Sequence, residues 1–276
     1  MGDDKPIRVH LVVGGFPPGE TAGHDMDYVR LALLQALQEM PGTRATVSSD
    51  FRDLERWLER SGFLITYVAG PYPDDAGNAA LVKWLEGGGR WFGLHGTSGG
   101  KAATVGASRR ARKMVKMGHH AVLGAFFLNH PPVRRFRVTV AMPAHPLAAG
   151  LPSSFDVMDE LYMIELQDPA HTEIFLTTEM PENPAPGFGF VYDRDTSILP
   201  DGKTRALGFT RQVGAGGVAY VALGHCHSPD CNVQPFVDRS VDPAGITPLL
   251  FRGSWENDAF KSLLRNAISW GISPRG

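Results

Sequence analysis

Over its first hundred residues the chain alternates short apolar runs with amphipathic segments, and this rhythm restricts the fold more than any other feature. Residues 7–13 form an apolar run that ends at Gly14-Gly15, which reads as a buried strand entering a glycine-rich turn. In residues 24–40, Met26, Val29, Leu33, Leu37 and Met40 recur at three- and four-residue steps. They therefore share one helix face, and Pro41-Gly42 ends the helix. The same reading gives a strand at 45–48 and a short helix at 51–60 capped by Asp50. A strand at 63–68, a helix at 78–86 closed by three glycines, and a strand at 91–94 follow. Strands separated by helices must cross over, so they pair in parallel with helices on both faces. Ligands of such sheets sit beyond the carboxyl ends of the strands. This directs attention to residues 14–25, 70–75 and 95–99.

The remainder of the chain reads differently. Strands are expected at 135–141, 161–165 and 173–178, followed by a Pro-, Gly- and Asp-rich loop at 182–203. Residues 205–211 and 217–223 suggest a hairpin turning at 214–217. A second long segment spans 228–253, and an amphipathic helix covers 255–270. With 43% hydrophobic residues the chain can bury the core of one large domain, taken as 1–276. Its 27 basic and 29 acidic residues create no field favouring nucleic acid or an anionic membrane. The one basic cluster, Arg109, Arg110, Arg112, Lys113 and Lys116, reads as a solvated helix face. No stretch is long and apolar enough to span a membrane, and the N-terminus is acidic with no apolar signal core. Two cysteines, Cys226 and Cys231, exclude a disulfide scaffold. The expected location is the cytoplasm.

Chemistry concentrates at a few places. Gly93-Leu94-His95-Gly96-Thr97 has small residues around a central side chain at a strand-to-helix turn, the pattern of an elbow that projects the centre into a cleft. Histidine at the centre can ligate a metal, move a proton or bind substrate, or simply satisfy buried backbone groups. His24-Asp25 follows the first glycine turn; Asp25 is either an ordinary helix cap or a functional carboxylate. In Asp159-Glu160-Leu161-Tyr162, alternation places Glu160 and Tyr162 on one side, so Glu160 is a candidate ligand or general base, or else a solvated strand end. Gly224-His225-Cys226-His227 puts His225 and His227 on one face. It lacks the paired cysteine spacing of structural zinc folds, which favours one histidine in a cleft over a closed zinc site. Among His119, His120, His130 and His145, each more often structural, His130 is the best candidate. Gly14-Gly15 lacks the GxGxxG pattern, and no Walker motif is present, so no nucleotide cofactor is expected.

Taken together and in order, these motifs resemble the ThuA-like (trehalose utilisation) family. The resemblance rests on Gly14-Gly15 with His24-Asp25, GGRWFGLHGT at 88–97, Gly124-Ala125-Phe126-Phe127 with His130-Pro131, and His145-Pro146 with Gly150-Leu151-Pro152. Asp159-Glu160-Leu161-Tyr162, Thr177-Thr178, Leu223-Gly224-His225 and LLRNAISW at 263–270 complete it. It implies an α/β fold of flavodoxin-like, class I glutamine amidotransferase-like type: a parallel sheet with helices on both faces and added hairpin and loop insertions. It also implies loss of amidotransferase chemistry, since His95 stands where the nucleophilic cysteine would. Family members are linked to metabolism of trehalose and related disaccharides, and some bind a divalent metal such as zinc. Two departures stand out: Cys226 where Asp or Glu commonly follows the histidine, and residues 228–253, which look inserted.

The function expected is an enzyme of carbohydrate metabolism acting on a keto-sugar or glycoside, by isomerisation or cleavage, with assistance from a divalent metal, zinc first. The expected catalytic residues are His95, Glu160, His24 and Asp25, with Asp25 as orienter. Gly14, Gly15, Thr97, Tyr162 and His130 are expected to bind substrate, and His95, His225 and Glu160 to hold the metal. The expected partner is a small-molecule carbohydrate, and a second copy of the chain is a further candidate through an exposed edge strand. Two rival functions remain: a non-catalytic sugar-binding or regulatory protein, favoured by binding without turnover, and a zinc-dependent hydrolase of non-sugar substrates.

Overall fold

A computed structural model describes residues 6–106 and 111–274. Its strands are β1 (Ile7–Gly15), β2 (Thr43–Ser48), β3 (Phe63–Ala69), β4 (Arg90–Leu94), β5 (Lys101–Thr104), β6 (Arg112–Val115), β7 (Ala125–Asn129), β8 (Arg134–Val140), β9 (Ser154–Asp159), β10 (Met163–Leu166), β11 (Glu173–Glu179), β12 (Thr204–Val213) and β13 (Gly216–Val221). The helices are α1 (Met26–Gln38), α2 (Leu54–Leu58), α3 (Asp75–Glu86), α4 (Gly118–Leu123) and α5 (Asp258–Ile272).

Nine strands form one sheet in the order β2-β1-β3-β4-β13-β12-β11-β8-β9. The pairs from β2 through β13 are parallel, and the remainder are antiparallel. The fold is therefore of the expected flavodoxin-like type, with an antiparallel wing grown from the β12–β13 hairpin. Side-chain parity shows how both faces are covered. Phe63 points toward α5, where a Cβ on Gly271 would meet its ring at 2.3 Å. Thr66 and its neighbour Trp91 point the other way, on the face where Leu123 of α4 lies against Gly93. Burial of Met26, Val29, Leu33 and Leu37 matches the helical stripe read from the sequence.

Several local expectations are corrected. Gly14 and Gly15 are the last residues of β1 and not part of a turn. A Cβ on Gly14 would fall 1.7 Å from the Ser49 carbonyl oxygen, so close packing demands glycine there. Asp53, not Asp50, precedes the short second helix, and Asp50 instead accepts from Arg52. Arg112 and Lys113 lie on β6, in a β-hairpin with β5 and not on a helix face; Arg109 and Arg110 lie outside the described residues. Two of the basic side chains pair with acids from later in the chain, Lys113 with Asp193 and Lys116 with Glu165. No helix among the described residues is long and apolar enough to cross a membrane.

Candidate metal centre

At the carboxyl edge of the parallel strands, β1, β4 and β13 release the chain into turns that each carry a histidine inward. After β1, Ala22 and Gly23 adopt left-handed conformations, φ 48° and 88°, and present His24. After β4 comes the elbow. His95 itself has φ 42°, a strained conformation of the kind that costs about 1–3 kcal/mol and recurs at functional sites. Gly96 beside it is required: a Cβ there would lie 2.7 Å from the Val68 carbonyl oxygen. The elbow opens only a four-residue 3-10 turn, His95–Ser98, and not the α-helix expected after a strand-to-helix turn. After β13, Gly224 turns at φ 127° and is held from three sides. Its carbonyl accepts from Tyr67 Oη and Trp255 Nε1, at 2.9 and 2.7 Å. Its amide donates to Asp159 Oδ2 at 2.8 Å. Asp159 also accepts the His225 amide at 2.9 Å and the Ser254 hydroxyl, so this buried carboxylate clamps the turn that presents His225.

One ligand atom from each of His24, His95, Glu160 and His225 lies within 4.8 Å of the others, and all four residues are buried. Glu160 Oε2 is 3.2 Å from His95 Nε2 and 3.3 Å from His225 Nδ1. Its Oε1 faces His130 Nε2 at 3.6 Å and accepts from Gln234 Nε2. Tyr162 stacks on the His95 ring, centroids 3.9 Å apart.

Proton placement follows from the outer hydrogen bonds. His95 Nδ1 lies 2.8 Å from the Ala222 carbonyl oxygen and His24 Nδ1 lies 3.0 Å from that of Ala22. A carbonyl oxygen only accepts, so each Nδ1 carries the hydrogen, and in the neutral ring Nε2 is a bare lone pair. Three of these inner nitrogens, His24 Nε2, His95 Nε2 and His225 Nδ1, are buried with no hydrogen-bond partner. Those of His95 and His225 face Glu160 Oε2 across 3.2 and 3.3 Å. Orphaned buried nitrogens converging with a carboxylate form the donor set of a divalent cation, and imidazole with carboxylate suits zinc. The residues present thus fit a metal.

Electrostatics agree. Burial, then His225 and His95, hold His24 well below the usual imidazole range. Burial alone would raise Glu160, but His130 and His225 outweigh it and keep the carboxyl well below its ordinary value. Burial would lower His225, yet Glu160 beside it leaves the ring above its ordinary value. Burial lowers His130, whose side chain retains 14% exposure.

Other singled-out residues stand outside this set. Asp25 caps α1 through Tyr28 N at 3.0 Å and pairs with Arg252 at 2.8 Å. Thr97 Oγ1 donates to the Thr66 carbonyl oxygen and faces the sheet. Gly14 and Gly15 are packing positions. His119 and His120 bond the Gly99 carbonyl oxygen below the elbow, and His145 bonds Thr210. The cysteines are free and neither belongs to the cluster. Sequence reasoning missed Gln234, which reaches Glu160 from the 228–253 segment, and the clamping role of Asp159.

The trehalose utilisation (ThuA) family model matches residues 18–238. The chain belongs to the ThuA family. Among solved structures it is similar to a putative ThuA-like protein from Bacteroides uniformis, at 18% identity and TM-score 0.62, covering 98% of this chain and 93% of that one. A putative ThuA-like protein from Parabacteroides merdae is similar at 15% identity and TM-score 0.55, covering 97% and 91%. A β-galactosidase from Rahnella sp. R3 shares the fold over 79% of this chain and 28% of its own, at 13% identity and TM-score 0.52. These likenesses speak to fold alone. A comparison with curated proteins finds no match.

Proposed function

We propose that this ThuA family member is a carbohydrate-active enzyme that binds a divalent cation, zinc by preference, and moves a proton at the carbon beside a keto-sugar carbonyl. Isomerisation or cleavage of a glycoside follows from that one step. The observation that carries the reading is the convergence of three partnerless buried ring nitrogens on Glu160.

His24, His95, His225 and Glu160 would hold the cation. When bound, it supplies electrophilic stabilisation of negative charge developing on a substrate oxygen. The chain's own groups do the rest. Glu160 stays anionic and compensates positive charge in a buried site. His130 Nδ1 lies 2.8 Å from the Pro131 carbonyl oxygen, which leaves Nε2 as the basic nitrogen, on the cluster's solvent side. His130 takes the C–H proton there, becomes an imidazolium beside Glu160, and returns the proton to the neighbouring carbon, while the hydroxyl proton of the enediolate passes to the former carbonyl oxygen. Gln234 donates to Glu160 while its Oε1 is buried without a partner, an acceptor suited to a sugar hydroxyl. With histidine at the elbow there is no thiol nucleophile, so glutamine amidotransferase activity is not expected.

The test is solvent exchange. A 3-keto-glucoside in D2O with the zinc-loaded protein should gain deuterium beside its carbonyl, and His130→Phe should slow this by about 100-fold or more. No exchange above the protein-free rate, with zinc bound, would rule out this chemistry; zinc-dependent ester or amide hydrolysis would then favour a hydrolase.

A further inference from the structure

His225 can offer a lone pair toward Glu160 only in one neutral tautomer, and the group that fixes it lies two residues on. His227 is fully buried. Its Nε2 is 2.8 Å from the Pro248 carbonyl oxygen, so Nε2 bears the hydrogen and donates. Its Nδ1 is therefore an acceptor, and it stands 3.1 Å from His225 Nε2. That contact requires the hydrogen of neutral His225 on Nε2, which bares Nδ1 toward Glu160. The His227 ring cannot readily turn. It stacks on Phe251, and the two backbones bond each other in both directions at 2.9 and 3.0 Å.

We propose that His227 is a positioning residue of the metal centre. It selects the His225 tautomer that ligates, and through Pro248 it makes that choice depend on the seating of the 228–253 segment. The inference rests on the metal reading above. Without an acceptor at position 227, neutral His225 is free to place its hydrogen on Nδ1 and donate to Glu160 Oε2. One ring nitrogen and part of the carboxylate would then be lost to the cation. Gln in place of His227 retains both an acceptor and a donor, so it can restore the chain of bonds.

The experiment measures zinc affinity of the full chain by competition with a chromophoric chelator for wild type, His227→Phe and His227→Gln, with thermal melts alongside. Nitrogen-15 NMR of the wild-type histidine rings reads the His225 tautomer directly. Expected are a loss of about 10–100-fold in zinc affinity for His227→Phe, substantial recovery in His227→Gln, and hydrogen on Nε2 of His225 in the zinc-loaded wild type. Zinc binding by His227→Phe within about threefold of wild type, or an Nδ1-protonated His225 in the zinc-loaded wild type, overturns the inference. A His227→Phe chain that does not fold leaves the NMR reading and the Gln variant to decide. If wild type takes up no zinc, the metal reading fails and this inference with it; if wild type binds and His227→Phe binds equally, only this inference fails.

Discussion

Gly96→Ala isolates the elbow from the ligands it carries. The added Cβ would sit 2.7 Å from the Val68 carbonyl oxygen and 3.2 Å from its carbon, both backbone atoms of β3. Ordinary contact begins near 3.4 Å. The turn must therefore move off the strand by about 0.7 Å, because a central strand cannot yield. Overpacking of this kind costs about 1–3 kcal/mol, which for a chain of this size lowers Tm by several degrees while the fold persists. The consequence for His95 is larger in proportion. It is the residue immediately before, and metal sites tolerate ligand displacements of only about 0.2 Å. We expect zinc affinity to fall by at least about tenfold, a loss of about 1.4 kcal/mol or more in binding. Thermal melts and chelator competition on the same preparation measure both. Zinc affinity within about twofold of wild type, in a protein whose melt shows the expected destabilisation, would refute the claim that the elbow's packing sets the position of His95.

Two further predictions concern the scaffold. Arg205 is fully buried, and its guanidinium is held by both Asp195 oxygens at 2.8 and 3.1 Å, by Ser197 and by the Met180 carbonyl oxygen. Asp195→Asn should cost about 2–4 kcal/mol in denaturant unfolding, because it leaves a buried cation without its counter-charge; a loss under about 0.5 kcal/mol would contradict this. Burial alone would raise the Asp195 pKa, but Arg205 and Ser197 hold it below the ordinary value. Its contribution is thus present above the unfolded carboxylate pKa and lost as pH falls through the lower folded one, a dependence Asp195→Asn should remove. His10 is buried against Trp57 and bonded to Thr46, and burial lowers its pKa to about 4. Folding should therefore lose up to about 3 kcal/mol as pH falls from 6.5 to 4. In His10→Leu that slope should shrink, and an unchanged slope would show that folding does not lower the His10 pKa.

The parallel half of the fold was legible because its signals are local. Periodic Met26, Val29, Leu33 and Leu37, and the glycines that end helices, mark each element within its own residues. The antiparallel wing was read only in part. Strands β7 and β9 owe their pairing to partners distant in sequence, Met163–Leu166 and Arg134–Val140, so neither carries a self-contained pattern. The basic stretch misled for a related reason: four residues of β6 alternate across a hairpin, and their compensating acids, Asp193 and Glu165, lie far along the chain. At the site, His95 and Glu160 stand out because each directly follows a strand, and His24 and His225 because each follows the turn after one. Gln234 acts through a hydrogen bond from an irregular segment that no spacing rule signals; alternation placed His227 beside His225, but its bond to the Pro248 carbonyl oxygen, far along the same segment, has no sequence signal.

The central claim is that His24, His95, Glu160 and His225 form a metal centre. Elemental analysis of the untagged protein, after zinc loading and dialysis, tests it most directly. The account predicts about one zinc per chain in wild type, and none in a His95→Ala chain that still melts cooperatively. A wild-type protein that holds no metal, or a His95→Ala protein that holds as much as wild type, would contradict it.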